Sequence, residues 1–270
     1  MKYRIIYKNR GETPREAITR FQEKNPQWNG TPLSYAGRLD PMAEGKLLIL
    51  FGDECKKQKL YTKLDKVYDI TVLFDLCTDT GDILGIPSYT QKNTHPTVHT
   101  IRTYLREQEH GTHIREYPRF SSKTVAGTPL FLYTLLGTID SITIPSHKET
   151  IYRTRVSRVV PISKDALKKE IEDGLRIVPR SDEPSKTVGA DFRQDTIRKS
   201  WEDLFNTIPE RTFFVVHIRV VAGSGAYMRT LSERIGKGHH TGALALSIKR
   251  TTIGKYQKLP FGFGFWIKKY

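Results

Sequence analysis

The chain has 270 residues, of which 37% are hydrophobic and 27% charged, so it can bury a core without disulfides or metals. Its 44 Lys and Arg exceed its 29 Asp and Glu, and the net charge of +15 favours a polyanionic partner. Two cysteines are too few for a disulfide framework. Because no apolar run approaches the roughly 20 residues that span a bilayer, and no signal peptide is evident, we expect a cytoplasmic protein that is not inserted in a membrane.

The first half of the chain predicts strands and a helix around a turn-rich loop. Tyr3 to Tyr7 is rich in β-forming residues and predicts a short strand. Thr13-Pro14-Arg15-Glu16 has the pattern of a capping box with proline at the first helical position, so we expect a helix to begin there. Glycine and proline interrupt residues 30–41, which predicts a loop. The apolar runs Leu47 to Phe51 and Val67 to Phe74 predict strands.

The second half predicts one more helix, a projecting segment and two long strands. Residues 97–109 fit an amphipathic helix. Residues 117–146 mix proline, glycine, serine and threonine with apolar residues, which indicates a projecting hairpin or a long flexible segment. Ile151 to Pro161 and Thr212 to Ala222 predict strands, both partly basic.

The stretch 162–211, between those last two strands, differs from the rest in charge. It holds ten Lys and Arg against eleven Asp and Glu, a net charge of −1, so the other 220 residues carry +16. Its composition predicts helices and loops. We therefore expect the basic surface to lie outside this segment.

Several common sites are absent from the sequence. There is no P-loop, no glycine-rich dinucleotide motif and no GxSxG nucleophile motif. Histidine pairs occur at helical spacing, but without the carboxylate of a metalloprotease motif they predict surface residues rather than metal ligands. We expect no metal site.

An acidic residue in a constrained loop is the strongest candidate for chemistry. Asp40 is followed by Pro41, which restricts it to extended backbone, and Gly37 and Gly45 permit tight turns on either side. The loop therefore predicts a carboxylate held in a fixed position. An ordinary Asp-Pro turn at the entry to a strand would give the same local pattern.

This loop resembles the catalytic motif of pseudouridine synthases, and its LDPxAxG form resembles that of the TruB family of tRNA pseudouridine-55 synthases. Three later segments are similar to motifs of that family in the same order. They are Asp65-Lys66-Val67-Tyr68 with Cys77-Thr78-Asp79-Thr80-Gly81-Asp82, then Ala226-Tyr227-Met228-Arg229-Thr230-Leu231, and Ser247-Ile248-Lys249-Arg250 with Gly254-Lys255-Tyr256. Apart from 162–211, the resemblance covers about residues 3–256.

The chain also departs from the family pattern. Tyr35 stands where the family usually has histidine, five residues before the aspartate, so the resemblance implies stacking on RNA there. Pro118-Arg119-Phe120-Ser121-Ser122 is similar to the family's PPxYSA, with the usual lysine displaced to Lys123 and a later arginine replaced by Leu135. Residues 162–211 look like an insertion, and we expect no C-terminal PUA domain of the kind that many bacterial members carry.

The resemblance implies a catalytic set of three residues. Asp40 would act as nucleophile or as base at the ribose, two roles that the sequence leaves open. Arg229 would hold that carboxylate through charge-assisted hydrogen bonds. Tyr68 would stack on the flipped base, and its hydroxyl would help to remove the C5 proton. Without the resemblance, a surface phosphate contact would be an equally good prediction for Arg229. Tyr68 would then be predicted to be a core residue.

The resemblance also implies a set of substrate contacts. Ile248 would pack beneath the uracil, and Lys249 and Arg250 would face phosphates. Tyr35 and Arg38 would contact the RNA from the loop.

Together these observations predict one α+β catalytic domain over residues 1–270, with the pseudouridine synthase fold. We expect a mostly antiparallel sheet flanked by helices, a thumb-like segment at about 117–146 and a helical insertion at about 162–211. The predicted function is isomerisation of the T-arm uridine U55 of tRNA to pseudouridine. Because the base stays with its own ribose, the reaction requires neither redox chemistry nor a donor, and we expect no cofactor. No protein partner follows from the sequence.

Two other functions remain open at this point. AGRLD alone also resembles synthases that act on ribosomal RNA. An RNA-binding or tRNA-folding protein without catalysis would carry the same basic surface. The presence of Asp40, Tyr68 and Arg229 together favours an enzyme.

Overall fold

A computed structural model describes residues 1–178, 193–259 and 264–270. In these ranges, nine strands form one sheet and four shorter strands form two separate hairpins. The sheet strands are β1 (Tyr3–Lys8), β2 (Leu33–Ala36), β3 (Ala43–Phe51), β4 (Asp65–Phe74), β7 (Gly111–Glu116), β10 (Ser146–Ser163), β11 (Thr212–Ala222), β12 (Ala243–Lys258) and β13 (Gly264–Lys269). The hairpin strands are β5 (Leu76–Thr78), β6 (Pro87–Tyr89), β8 (Thr124–Val125) and β9 (Thr128–Pro129).

The sheet order is β1-β3-β12-β4-β11-β10-β7, with β2 beside β3 and β13 beside β12. β3 and β12 run parallel, and the other pairs of this sheet among the described strands are antiparallel. Helices flank the sheet. They are α1 (Pro14–Glu23), α2 (Gln58–Thr62), α3 (Val98–Tyr104), α4 (Leu130–Leu135), α5 (Lys164–Ile177), α6 (Gln194–Thr207) and α7 (Met228–Gly238). The predicted α+β class with a mostly antiparallel sheet is confirmed.

The two faces of the sheet differ, and β4 shows how, because alternate side chains of a strand point to opposite sides. Tyr68 and Ile70 lie on the side that α3 and α7 cover, here called the front face. Leu73 lies on the other side, the rear face, where α5 and α6 pack. Asp69 and Thr71 share the rear face with Leu73 but line an open groove. The rear face is therefore only partly covered.

The predicted N-terminal strand and helix are present, but the prediction that residues 30–41 form a loop is wrong in part, because Leu33–Ala36 pairs with β3 as strand β2. Thr13 caps α1, since its hydroxyl accepts from the Glu16 amide at 3.2 Å and the Glu16 carboxylate accepts from the Thr13 amide at 2.6 Å. The predicted helix at 97–109 is regular only to Tyr104, and Leu105–Glu109 forms a wider π-helical turn. That turn buries Glu109, which accepts from Arg234 of α7 at 2.9 Å.

The segment 117–146 starts and ends at the same place. β7 and β10 are antiparallel neighbours, and the Tyr117 amide donates to the Pro145 carbonyl at 3.0 Å beyond their ends. The chain between them holds the β8-β9 hairpin and α4. It therefore extends from one end of the sheet, beside the α7 terminus described below.

The predicted insertion contains α5 and α6 in its described part, and residues 179–192 of it lie outside the described residues. Trp201 of α6 is buried and donates from its indole nitrogen to the Ile83 carbonyl at 2.9 Å. Leu167 and Ile171 of α5 belong to the same apolar cluster. Both helices thus pack on the sheet. No helix in the described ranges is long and apolar enough to cross a bilayer.

Candidate active site

Asp40 lies in the loop between β2 and β3, and a buried arginine holds this loop from below. The guanidinium of Arg250 donates to the carbonyls of Lys46, Gly37 and Arg38 at 2.7, 2.9 and 3.2 Å. Its side chain is 1% exposed, and this burial lowers the pKa of Arg250. The prediction that Arg250 faces phosphates is wrong, because these carbonyls occupy its donors and the protein buries it.

A buried lysine holds the other side of the same loop. Lys8, at the end of β1, donates to the carbonyls of Ala43 at 2.6 Å and Pro41 at 3.2 Å. Burial lowers the pKa of Lys8 to about 8. The sequence analysis missed this residue, since a lysine at the end of a basic strand reads as a surface residue until its carbonyl partners are known.

A third buried cation lies beneath the turn at Gly37. Lys66 of β4 donates to the Thr62 carbonyl at 2.8 Å and to that of Leu64. Burial first, and the nearby charge of Arg250 second, lower the pKa of Lys66 to about 7. Gly37 has φ +80° and lies over this side chain, so the turn brings the backbone close to two buried cations.

The structure brings Asp40 and Arg229 together as the sequence predicted. Arg229 is in the first turn of α7, and its Nε donates to Asp40 Oδ2 at 2.8 Å. The remaining donors of the guanidinium bind the Phe120 carbonyl at 2.9 Å and the Thr80 carbonyl. The side chain of Arg229 is 5% exposed and that of Asp40 is 37% exposed. A buried arginine, bonded through all three of its nitrogens, therefore presents a carboxylate that remains open to solvent.

A second carboxylate, Asp82, lies on the inner side of the same guanidinium. Its Oδ2 is 3.8 Å from Arg229 Nε, and its Oδ1 accepts from the Thr80 hydroxyl and the Leu84 amide at 2.9 Å each. Burial raises the pKa of Asp82, although Arg229 opposes this. Burial opposes the charged form of Arg229, but Asp40 and Asp82 more than compensate, so the pKa of Arg229 is raised and the side chain stays protonated.

Tyr68 and Ile248 form the floor beside this pair. They belong to the same buried cluster as Leu39, the residue before Asp40, with Tyr68 8% and Ile248 6% exposed. The Tyr68 hydroxyl faces the Arg250 guanidinium. The two residues thus lie on the front face close to the Asp40 loop, as predicted for a base-contacting surface.

The other two predicted RNA contacts in the loop differ in position. Arg38 is exposed next to Asp40. The Tyr35 ring packs instead against the apolar cluster that contains Ile18, Phe21 and Phe51. Its predicted stacking on RNA stays a prediction.

Lys249 lies on the rear face of the sheet, away from the Asp40 loop, and its predicted contact with phosphates stays a prediction. It is opposite Asp69 in the register of β12 and β4, one residue from the Arg250–Tyr68 pair on the front face. Its ammonium lies 3.5 Å from Glu44 and above the Tyr7 ring. Neighbouring side chains of a strand point to opposite faces, so Lys249 and Arg250 lie on different sides of the sheet. The motif alone does not reveal this separation.

An aromatic group joins the base of the 117–146 segment to the start of α7. Tyr117 stacks on His147 at 4.2 Å between ring centroids, and both rings meet the edge of Tyr227. His147 also contacts the Gly225 carbonyl at 3.0 Å. Burial first, and the charge of Asp40 second, raise the pKa of Tyr227 to about 12, so this group lies beside the carboxylate.

Comparisons with known proteins identify a family and several relatives of this chain. Residues 30–173 match the family described as TruB family pseudouridylate synthase (N terminal domain). A tRNA pseudouridine synthase B of Aromatoleum aromaticum is 32% identical over 252 residues, which cover 93% of this chain and 63% of that protein. Another, from Nitratidesulfovibrio vulgaris, is 26% identical over 249 residues, covering 91% of this chain and 61% of that protein. The chain spans less than two thirds of the length of both relatives.

A solved structure shares the fold. A chain in the crystal structure of a Cbf5-Nop10-Gar1 complex covers 94% of this chain, and the match covers 49% of its own length, with a TM-score of 0.54 and 15% identity. The predicted fold is thereby confirmed. At this identity the likeness concerns the fold alone.

Proposed function

This chain belongs to the TruB family of pseudouridylate synthases, and on that premise we propose that it isomerises the T-arm uridine U55 of tRNA to pseudouridine, with Asp40 as the catalytic carboxylate. The observation that carries the proposal is the ion pair at 2.8 Å between Asp40 and the buried Arg229. A carboxylate held by a rigid donor yet 37% exposed suits a group that must meet an incoming ribose.

The proposed isomerisation requires little beyond this carboxylate and a pocket that holds the detached uracil. The bond between N1 of uracil and C1′ of the ribose breaks, a bond from C5 to C1′ forms, the C5 proton leaves and N1 gains a proton. Atoms and electrons balance without an oxidant, a reductant or a second substrate. Asp40 acts at the ribose as nucleophile or as base, and both roles require the same ionised and fixed carboxylate.

In this proposal, Arg229 orients the carboxylate of Asp40. Its donors to the Thr80 and Phe120 carbonyls fix the plane of the guanidinium, so the donor to Asp40 has one direction. Because the pKa of Arg229 is raised, this donor remains charged throughout the physiological pH range.

Tyr68 and Ile248 supply the surface for the base in this proposal. The aromatic ring stacks on the extracted uracil and Ile248 packs beneath it, which offsets the few kcal/mol needed to flip a base out of an RNA loop. The Tyr68 hydroxyl is the candidate for taking up the C5 proton. Arg38, exposed beside Asp40, is the candidate for a backbone phosphate.

The proposal also covers domain organisation and location. Residues 1–270 act as one catalytic domain, with 117–146 as a thumb-like segment and 162–211 as a helical insertion. The support is that both segments are joined to neighbouring strands of one sheet. A cytoplasmic location fits a tRNA substrate and two free cysteines, Cys55 and Cys77.

Tritium release tests the function. Uridine labelled with tritium at C5 loses the label on isomerisation, so the purified chain should release tritium from an unmodified tRNA transcript. Asp40→Asn should abolish release while tRNA binding persists. The matched control Asp53→Asn changes an aspartate whose side chain is 93% exposed and should match the wild type.

Three outcomes would contradict the proposal. Residual turnover of Asp40→Asn within tenfold of wild type would remove Asp40 from the catalytic role. Release from a ribosomal RNA transcript but not from tRNA would make the chain a ribosomal RNA synthase. Binding of tRNA with no release by the wild type would make it an RNA-binding protein without catalysis.

A further inference from the structure

A basic groove of about 600 Å³ crosses the rear face of the sheet, away from Asp40. Its walls come from β10, β11, β12, the start of β3 and the loop after β1. Five cationic side chains line it against two carboxylates. They are Arg10, Arg155, Arg158, Arg219 and Lys249, with Glu44 and Asp69.

Basic residues face one another across the strands of this groove. Arg155 of β10 is directly opposite Arg219 of β11. Beyond the irregularity that follows Val156, Arg158 is opposite His217. Like charges in directly opposed positions of an antiparallel pair destabilise a sheet. Burial, together with the charge of Arg158, lowers the pKa of His217. The Arg155–Arg219 pair, with Arg158 beside it, therefore indicates a surface that an anion neutralises when bound.

The acidic residues of the groove are already occupied. Asp69 accepts two hydrogen bonds from Arg219, at 2.7 and 2.8 Å, and Glu44 pairs with Lys249 at 3.5 Å. Among the described residues, the side chains of Arg155 and Arg158 make no hydrogen bond or ion pair. Both are exposed, so their planar donor groups are available to a ligand.

Arg10 adds a donor deeper in the groove. One terminal nitrogen of its guanidinium donates to the Leu246 carbonyl at 3.3 Å. Its Nε is buried and has no acceptor among the residues described. Burial lowers the pKa of Arg10. A buried donor without a partner costs free energy, which an acceptor atom of a bound ligand would recover.

We infer that this groove binds the phosphodiester backbone of RNA at a site separate from the Asp40 centre. Arginine guanidinium groups bind phosphate oxygens in a bidentate geometry, and several cations along a groove suit a repeating anion. A recessed groove between strands admits a nucleic acid strand but does not suit the flat surface of a bilayer. The inference goes beyond the proposed function, because the residues that carry it lie on the opposite face from Asp40 and Tyr68.

A double substitution and a matched control test this site. Arg155→Gln with Arg158→Gln removes the two unpaired cations. Lys169→Gln with Lys199→Gln removes the same charge from exposed positions on α5 and α6. The probe is a fluorescent oligoadenylate of 12 nucleotides, which contains no uridine. Its affinity for each protein is measured over a range of salt concentrations.

The groove variant should bind the probe about tenfold more weakly at low salt. Its log–log salt slope should be smaller by about 1.4, since each phosphate contact with a single strand contributes about 0.7. The control should keep the wild-type slope. Equal salt slopes for the groove variant and the control would overturn the inference. The inference would also fail if the groove bound ATP while the double substitution left the salt slope of RNA binding unchanged.

A measurement on the unmodified chain covers the case in which the double variant does not fold. Phenylglyoxal reacts with accessible arginines, and bound oligoadenylate should protect Arg155 and Arg158 but not Arg176, which is exposed on α5. Equal modification of all three with and without RNA would overturn the inference. Tritium release by the wild type is scored separately, so failure of the proposed function and failure of the groove give different results.

Discussion

The two faces of the sheet use positive charge in opposite ways. Around the Asp40 loop, Lys8, Lys66 and Arg250 are buried and donate to carbonyls of the protein itself. In the rear groove, Arg155 and Arg158 are exposed and have no acceptor among the described residues. The net charge of +15 therefore overstates the positive charge that RNA can reach, because some of the cationic side chains are buried and hold the catalytic loop in shape.

The difference explains how an exposed carboxylate keeps its position. Backbone carbonyls at Gly37, Arg38, Pro41, Ala43 and Lys46 point toward two cations instead of water. Each hydrogen bond between a charged donor and a carbonyl contributes about 1.5–3 kcal/mol. The loop is thus fixed from below, and Asp40 is left free on its upper side to pair with Arg229.

The largest effect that would test this comparison is on stability. Arg250→Met keeps an apolar stem but removes the donor to the Gly37 and Arg38 carbonyls of the Asp40 loop and to the Lys46 carbonyl of β3. We expect a loss of about 3 kcal/mol in the free energy of unfolding, since buried acceptors without partners cost about 1–3 kcal/mol each and the loop can relax. Urea unfolding followed by circular dichroism measures it. A loss below about 1 kcal/mol would mean that Arg250 does not hold the loop.

The sequence predicted the residues that carry the chemistry better than it predicted the contacts that support them. The Asp40 loop and the Arg229 segment could be identified because their residue types recur in a family motif, and the structure brings the two side chains together. Arg250 belongs to the same kind of motif, but whether a cation in a motif faces RNA or a carbonyl depends on the face of the strand and the depth of burial. Neither is encoded in a short motif.

Other contacts depend on residues far apart in the chain. Lys8 donates to carbonyls more than thirty residues away, and the Phe120 carbonyl reaches Arg229 across 109 residues. Asp82 stood in a recognised segment, yet its place against Arg229 follows only from the packing of the β5-β6 turn on α7. The strands of the sheet were predictable because their apolar residues are local, whereas register and partner choice are not.

The second effect concerns pH and Lys66. Its pKa is lowered to about 7 in the folded chain, against an ordinary value of 10.5, so the folded state releases this proton first. Between pH 7 and 10.5 the unfolded chain binds more protons at this lysine than the folded chain does. The free energy of unfolding is therefore highest, with respect to this group, above pH 10.5 and decreases as the pH falls toward 7. Between pH 8 and 10 the wild type should gain about 1 kcal/mol per pH unit relative to Lys66→Met.

Urea unfolding of both proteins at pH 7, 8, 9 and 10 checks this slope. The comparison with Lys66→Met cancels the other groups that titrate over the same range. Parallel pH profiles for the two proteins would show that folding does not lower the pKa of Lys66. They would also weaken the contrast between the buried cations around the loop and the open ones of the rear groove.

The smallest effect concerns Lys249, the neighbour of Arg250 on β12. The two cations lie on opposite faces of the strand: Arg250 is buried against three carbonyls, whereas the side chain of Lys249 is 50% exposed and pairs with Glu44 at 3.5 Å. Exposed ion pairs contribute about 0–1 kcal/mol because water and salt screen them. Lys249→Met should therefore change the free energy of unfolding by less than about 0.5 kcal/mol, measured beside Arg250→Met in the same urea series. If adjacent substitutions of similar size gave equal losses, burial would not be what separates the two cations, and the division of charge between the faces would fail.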